Sequence, residues 1–431
     1  MTKSALSDYP EAAAEFIAPF VAADLFAGSM LVAKGGEPLL RRGFGLADRE
    51  WNVPHEPTGK FRLGSLTKQF TATAILQLME RGRLALDDEI ARHFPEAPTA
   101  WRGVTLLHLL THTSGIASYT SIPGFFQQMA HIDRTPREII ALTEAEPLEF
   151  APGTTFKYCN GGYVILGHVI ERLSGLIYED YVSRNILLPL GLAGTGYEHV
   201  AAIIPERTTG YRTRNGRIEN AAYLAMSLPY AAGSIYSTAD DLLVWQRALA
   251  AAKPISAASV DLMFRDHGHG YGFGWGIQRQ FSRRQFVHAG GINGFSVVLS
   301  HYPDADLTTI LLANIQAAPV QKIARDLAAL YFGVTEAERE LVLDAALLAD
   351  YVGTYRLGPG RVLRVTQDGA RLFVETDEQS RQELFAKDDH NFICKMIDWE
   401  VCFEADGVEQ ASRVILRRSG KEVSGPRIVD E

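Results

Sequence analysis

Side chains that could share a proton transfer stand close together near the start of one helix. Ser65 and Lys68 are three residues apart, at the beginning of a predicted helix over residues 67–80. Residues at this spacing share a helix face, so the hydroxyl and the amine can meet. The helix N-terminus adds free N–H donors and partial positive charge. A serine in this setting is a candidate nucleophile.

The spacing alone is a weak signal, because a serine that caps a helix beside a solvated lysine gives the same pattern. Two further motifs strengthen it. Tyr158 and Asn160 precede a predicted helix over residues 163–174, and His288 and Gly290 end a predicted strand. The order Ser-x-x-Lys, Tyr-x-Asn, His-x-Gly is much more specific than any one motif. A core tyrosine and a strand histidine that merely packs remain open alternatives.

With these motifs the chain resembles the serine beta-lactamase and penicillin-binding-protein-like hydrolases, and most of all the class C beta-lactamase branch. That branch also contains D-aminopeptidases, D-amino-acid amidases and carboxylesterases. The resemblance covers roughly residues 10–332. It extends to Leu109-Leu-Thr-His-Thr-Ser-Gly115, Pro152-Gly153 and Pro189-Leu-Gly-Leu192. The C-terminal segment is similar to the lipocalin-like barrel of some members.

The resemblance implies a role for each motif residue. Ser65 would be the acylated nucleophile. Lys68, with its pKa lowered by burial, and Tyr158 would move the protons, and which of them is the general base stays open. Asn160 would hydrogen-bond an amide or carbonyl of the substrate.

The third motif departs from the common lactamase pattern. His288 stands where many members carry a lysine that attracts a substrate carboxylate, and a histidine is only partly charged near neutral pH. This favours the D-aminopeptidase and esterase members. We expect His288, Gly290 and Gly291 to bind substrate, with the N–H groups of Ser65 and Gly291 as the oxyanion hole. Glycines suit a strand edge that approaches substrate closely.

The predicted function is therefore hydrolysis of a small amide or peptide, preferably one with a D-amino acid, through an acyl-Ser65 intermediate. A carboxylesterase of the same family is the first alternative. An acyl-transferring enzyme or an acylated sensor on the same scaffold is the second. Beta-lactamase activity should be weak or absent. The acyl group, the leaving group and the stereochemical preference stay open.

The sequence lacks the residues that a zinc hydrolase or a nucleophile-elbow serine hydrolase would need. His108 and His112 have the spacing of a zinc-binding pair, but Leu109 replaces the glutamate that such a helix needs. Leu63 and Thr67 stand where a nucleophile elbow has glycines. No metal and no cofactor is expected.

Net charge, cysteine content and the lengths of apolar runs limit the kinds of binding partner that this chain could have. The 431 residues carry a net charge of −9, and no basic run favours nucleic acid. Three cysteines form no disulfide framework. No apolar leader or membrane-length run stands out, which predicts a cytoplasmic protein without a membrane partner. The expected partner is a small amide, peptide or ester, and a homo-oligomer is possible.

The element pattern predicts an α+β fold with two domains. Residues 1–332 would pair an antiparallel sheet, built from both chain ends and flanked by helices, with a mostly helical lobe. Predicted elements include strands over 28–34, 271–278 and 295–302, a helix over 178–188, and at 118–150 either a flap over the site or a surface insertion. Residues 333–349 would be a linker. About eight short strands in residues 350–431 predict a small all-β barrel.

Overall fold

Short strands and helices alternate through residues 8–334. The computed structural model describes residues 8–334, 341, 343–404, 410–418 and 421–428. The strands up to residue 313 are β1 (Gly28–Lys34), β2 (Glu37–Phe44), β3 (Leu46–Asp48), β4 (Val53–Pro54), β5 (Phe61–Arg62), β6 (Gly196–Tyr197), β7 (Tyr211–Arg214), β8 (Arg217–Asn220), β9 (Ile235–Ser237), β10 (Gly276–Gln280), β11 (Arg283–Ile292), β12 (Phe295–Tyr302) and β13 (Leu307–Ala313).

The helices connect and cover these strands. They are α1 (Tyr9–Ala22), α2 (Thr67–Glu80), α3 (Ile90–His93), α4 (Leu106–Leu110), α5 (Phe125–Gln128), α6 (Pro136–Ala141), α7 (Asn160–Ser174), α8 (Tyr178–Val182), α9 (Leu188–Leu190), α10 (Tyr230–Gly233), α11 (Ala239–Ala250), α12 (Ala257–Met263), α13 (Val320–Phe332) and α14 (Ala345–Ala349). A 3₁₀ turn, Gly64–Leu66, leads into α2, and a π-helical turn, Ser183–Leu187, joins α8 to α9.

One six-stranded antiparallel sheet joins the two ends of this region, in the order β10-β11-β12-β13-β1-β2. The β1–β13 pair places Leu31 opposite Ile310, so the first strand of the chain lies beside the strand that comes last along the chain in this sheet. Helices α1 and α13 pack on one face, where Ile17 and Leu327 are fully buried. Helices α2 and α11 lie in the core on the other face. The predicted α+β class is confirmed.

Helix α2 is buried along almost its whole length rather than on one face. Its neighbours are α7, α8 and α10, and residues 67–78 are all buried. A helix surrounded in this way carries its polar groups into the interior, where each needs a partner. Thr71 meets this need by donating to Ala231 O at 2.6 Å. Helix α2, which directly follows the candidate nucleophile Ser65, thus lies at the centre of the helical lobe.

Several element boundaries agree with the prediction, and others differ. Strands β1 and β12 and helix α2 have the predicted bounds. The strand predicted from residue 271 begins only at Gly276, because a tight turn bonds Gly272 N–H to Trp275 O. The helix predicted to stop at Pro189 passes through the π-helical turn to Leu190. Helix α12 was not predicted.

A closed eight-stranded barrel follows, as predicted. Its strands are β14 (Gly353–Gly358), β15 (Arg361–Asp368), β16 (Arg371–Thr376), β17 (Gln379–Ala386), β18 (Asn391–Cys394), β19 (Trp399–Glu404), β20 (Arg413–Arg418) and β21 (Lys421–Ile428). Pairing of Tyr355 with Arg427 closes the ring. Helix α14 lies within the predicted linker, and its Leu348 is buried. The boundaries 1–332, 333–349 and 350–431 stay a prediction.

No helix in the described part of the chain is long and apolar enough to cross a membrane. All three cysteines, Cys159, Cys394 and Cys402, are free thiols.

A buried ion pair ties β5 to the segment after β6. Arg62 Nη2 lies 2.8 Å from Glu198 Oε1, and the Glu198 side chain is fully buried. Arg207 approaches the same oxygen at 3.5 Å. We expect Glu198→Gln to lower the free energy of unfolding by about 3 kcal/mol, because it leaves the largely buried Arg62 guanidinium uncompensated. Urea denaturation measures this.

The exposed pair Arg184–Asp180 provides the control. Asp180→Asn should change the unfolding free energy by less than about 1 kcal/mol, since solvent screens an exposed pair. Equal effects of the two substitutions would contradict a special role for the buried pair.

Candidate active site

Strand β9 fixes the turn that carries Ser65. Leu63 N–H donates to Ile235 O at 2.9 Å, and Ile235 N–H donates to Thr67 Oγ1 at 3.1 Å. These two bonds hold the residues on both sides of the 3₁₀ turn. Ser65 is half-buried at its centre and lines a cleft, so its hydroxyl is both held and accessible.

Lys68 lies fully buried behind Ser65 and donates to three oxygens. Its Nζ is 3.0 Å from Ser65 Oγ, 2.9 Å from Asn160 Oδ1 and 2.9 Å from Ala232 O. None of these partners is a carboxylate. Burial therefore lowers the pKa of Lys68 to about 7.

This geometry suits both protonation states of the amine. An ammonium has three hydrogens and can satisfy all three oxygens at once. A neutral amine has two hydrogens, enough for Asn160 Oδ1 and Ala232 O, and its lone pair can then accept the Ser65 proton. Because its pKa is near 7, both forms of Lys68 are populated at neutral pH.

Asn160 is placed by the first turn of α7, which begins three residues earlier than predicted. Cys159 caps the helix, with its Sγ accepting from Gly162 N–H. The Asn160 side chain turns its Oδ1 to Lys68 and its Nδ2 to Thr120 Oγ1 at 3.3 Å. The lysine donor thus fixes which way the amide points.

Tyr158 lies next to both Ser65 and Lys68. Its residue surface is 38% exposed, although much of the ring is surrounded by protein. That desolvation raises the pKa of Tyr158, and a hydrogen bond with Ser65 acts in the opposite direction. Lys68 Nζ lies 4.8 Å from the centroid of the ring. Tyr158 is therefore a neutral phenol at neutral pH, able to give a proton.

Strand β11 supplies the third side of the site. Its pairing with β10 ends at Val287, so the edge of residues 288–292 faces the 3₁₀ turn. A Cβ on Gly290 would lie 1.9 Å from Leu63 O, whereas a Cβ on Gly291 would meet nothing within 4 Å. Gly290 permits the close approach of the two backbones, and Gly291 opens onto the cleft.

His288 is directed into the protein. It is 8% exposed; its Nε2 lies 2.9 Å from Tyr271 Oη, and its Nδ1 lies 2.8 Å from Ala289 O. Burial, with the nearby charge of Lys68, lowers the pKa of His288 to about 3. The ring is therefore neutral, and both its nitrogens are engaged within the protein.

The cleft itself has a volume of about 890 Å³ and is built from more of the chain than the motifs indicated. Residues from the first part of the segment 118–150, between Tyr119 and Gln127, form one wall, which favours the flap over a plain surface insertion for that part. The barrel and the β7–β8 hairpin form another, and neither carried a signal in the sequence. Cleft-lining residues outside the motifs include Tyr119, Phe125, Phe126, Arg212, Arg214, Asp377, Glu378 and Arg418.

The described part of the chain contains no cluster of three or more His, Cys, Asp or Glu side chains that could hold a metal ion. The chemistry available at this site is that of a hydroxyl, an amine and a phenol.

The sequence model of the Beta-lactamase family matches residues 13–333. The chain belongs to the beta-lactamase family. It is 31% identical over 434 residues to penicillin-binding protein 4* of Bacillus subtilis (strain 168), covering 93% of this chain and 95% of that protein. The resemblance expected from the motifs is therefore confirmed. The family is one of hydrolases, which supports a hydrolase activity for this chain.

Two solved structures extend this likeness. The octameric penicillin-binding protein homologue from Pyrococcus abyssi is 26% identical with a TM-score of 0.70, over 96% of this chain and 99% of that one. A D-stereospecific amidohydrolase from Streptomyces sp. is 27% identical with a TM-score of 0.62, over 78% of this chain and 100% of that one.

The two glycines of the third motif should respond differently to an added methyl group. Gly290→Ala forces β11 away from the Ser65 turn, so we expect a lower melting temperature and a loss of activity. Gly291→Ala should keep the melting temperature, because its Cβ enters open space, and should reduce kcat/KM through crowding of the cleft. Thermal unfolding and hydrolysis of an activated ester measure both effects. Equal melting temperatures for the two variants would contradict this difference.

Proposed function

We propose that this beta-lactamase family member is a serine hydrolase that cleaves small amides or peptides containing a D-amino acid through an acyl-Ser65 intermediate. The observation that carries the proposal is the buried Lys68 amine, held within hydrogen-bond distance of the Ser65 hydroxyl without a carboxylate partner. This arrangement keeps the amine available as a proton acceptor, which a serine nucleophile needs.

In this mechanism the neutral Lys68 is the general base. It takes the Ser65 proton while Oγ forms a bond to the substrate carbonyl carbon. Tyr158 gives a proton to the leaving amine as the carbon–nitrogen bond breaks, and the Lys68 ammonium then returns the proton to the neighbouring Tyr158 phenolate. The high pKa of Tyr158 favours the phenol as donor over the phenolate as base. Water then attacks the acyl-enzyme and releases the acid.

The developing oxyanion requires donors on the far side of the carbonyl. We propose the backbone N–H groups of Ser65 and Gly291 as these donors, which the close approach of Gly290 to Leu63 O supports. Asn160 Nδ2, on the side away from Lys68, is proposed to bind a substrate carbonyl.

Because the His288 ring is neutral, it supports a substrate that is uncharged near the bond to be cleaved. A neutral, buried imidazole with both nitrogens engaged offers no cation to a substrate carboxylate. An amide or an ester fits this wall better than a carboxylate-terminated peptide or a beta-lactam. The Streptomyces structure is described as a D-stereospecific amidohydrolase, which supports the D-amino-acid amide as the first choice. A carboxylesterase is the second, since the same wall accepts an ester.

The deciding experiment combines kinetics with intact-mass spectrometry. A panel of D- and L-amino-acid amides, short esters and a chromogenic cephalosporin should show the D-amides hydrolysed best and the cephalosporin least. Ser65→Ala should lower these rates at least about 10³-fold. Ser256→Ala, which removes a hydroxyl at the start of α12, is the matched control and should retain activity.

The mass spectra separate the alternatives. A transient adduct on Ser65 supports hydrolysis, a persistent adduct indicates a sensor, and a product that contains an added amine indicates acyl transfer. Unchanged hydrolysis in Ser65→Ala would overturn the mechanism. Light scattering on the same preparation tests whether the chain forms a homo-oligomer, as the Pyrococcus abyssi homologue does.

The pH dependence follows from the lysine. Only the neutral amine can accept the proton. kcat/KM should therefore be low at pH values below an apparent pKa near 7, and should rise to a plateau at pH values above it. Lys68→Arg should lower kcat/KM by about 10²–10⁴-fold at every pH, because a guanidinium stays protonated. A pH-independent wild-type rate between pH 5 and 9 would contradict Lys68 as the base.

A further inference from the structure

His112 contacts the segment around Tyr158 at three points. Its backbone carbonyl accepts from Lys157 N–H at 2.9 Å, and its Nδ1 accepts from Cys159 N–H at 3.1 Å. Its ring stacks on Tyr158, with centroids 4.2 Å apart and planes inclined by 35°. The contacts thus hold the residues before and after Tyr158 and cover its ring.

The backbone of His112 adopts an uncommon conformation to reach this place. Helix α4 ends at Leu110, and His112 follows it with φ +58°, in the left-handed region. Glycine or asparagine usually occupies such a position after a helix, because a larger side chain is strained there. Ending the helix does not require an imidazole, so the strained histidine points to another role.

A chain of hydrogen bonds leads from His112 to the glycine strand. Because Nδ1 accepts from Cys159 N–H, the hydrogen of a neutral His112 is on Nε2, which lies 3.3 Å from Tyr271 Oη. Because His288 Nδ1 donates to Ala289 O, its Nε2 must accept from the Tyr271 hydroxyl. One arrangement of hydrogens satisfies all four bonds. In it Cys159 N–H donates to His112, His112 to Tyr271, Tyr271 to His288, and His288 to Ala289 O.

We propose that His112 is a positioning residue for Tyr158, and that Tyr271 and His288 link it to strand β11 so that the proton donor and the oxyanion-hole strand keep a fixed separation. This inference rests on the proposed function, since it assigns a role to the surroundings of the same site. In it His288 is the far anchor of a hydrogen-bond chain rather than a substrate ligand.

The chain needs both imidazoles neutral. The titratable groups that face it are Lys68 on α2, Tyr158 and Cys159 before α7, and Tyr163 on α7. A proton on His288 would force the Tyr271 hydroxyl to turn its hydrogen toward His112 Nε2–H, where two donors would meet. Burial and the Lys68 charge lower the pKa of both histidines and oppose this state.

A first test does not depend on activity. ¹⁵N spectra of the imidazoles in the full-length protein should show His112 with its hydrogen on Nε2 and His288 with its hydrogen on Nδ1. Both should stay neutral from pH 5 to 8, with His112→Asn and His288→Asn assigning the signals. The opposite tautomer on either ring, or titration in this range, would overturn the chain.

A second test asks whether the chain positions Tyr158. His112→Asn tolerates the backbone conformation and can still accept from Cys159 N–H, but it removes the stacked ring and the donor to Tyr271. Tyr271→Phe keeps every ring and removes only the hydroxyl. We expect kcat to fall about 10²-fold in the first and about tenfold in the second, with KM changed less than threefold.

The controls separate positioning from folding and from the proposed function. Tyr9→Phe removes a buried hydroxyl that bonds Leu327 O at 3.0 Å, far along the chain from the motifs, and should keep wild-type kcat. In Tyr271→Phe the ¹⁵N signal of His288 Nε2, which no longer accepts the Tyr271 hydrogen, should shift while the ring stays neutral, which a purely structural loss elsewhere would not do.

Labelling of Ser65 by a fluorophosphonate gives the final distinction. If the wild type is labelled and both variants are labelled at the same rate with unchanged kcat, the positioning role is wrong. If the wild type is neither labelled nor active, the proposed function fails instead, while the tautomer spectra still decide the hydrogen-bond chain. Slower labelling of the variants supports the inference.

Discussion

The burial of the Lys68 amine without a carboxylate partner is the constraint on which the site depends. An ammonium in the interior is unfavourable unless oxygens replace its water, and here three neutral oxygens do so. They come from the turn before α2, from the start of α7 and from α10. The lysine can titrate near neutral pH only while these three segments stay together.

The same constraint explains why α2 is enclosed. Its neighbours exclude water from Lys68, and polar residues of α2 such as Thr71 and Thr73 bond to backbone carbonyls. The packing that lowers the pKa of the lysine also raises that of Tyr158, because burial disfavours whichever form carries a charge. One environment therefore favours the neutral form of both residues, although both are protonated in water.

Backbone contacts set the remaining distances. Gly290 lets β11 approach Leu63 O, and His112 holds the residues on both sides of Tyr158. The cleft in front of these groups is completed by residues between Tyr119 and Gln127 and by the barrel turn at Asp377 and Glu378. Asn215 N–H donates to Asp377 O at 2.9 Å, so the barrel contacts the β7–β8 hairpin beside the cleft. The motif residues thus come from the chain before the barrel, and the lining of the cleft comes from both.

The sequence by itself determined the local features: helix α2 with Ser65 one turn before Lys68, most strands of the main sheet, the barrel, and the order of the motifs on which the family resemblance rests. These follow from short-range periodicity and from residue spacing. Only the tertiary structure decided that His288 turns inward, that His112 contacts Tyr158, and that the barrel lines the cleft. Each depends on which distant segments become neighbours, and the loss of water around them sets the charge of Lys68, Tyr158 and His288.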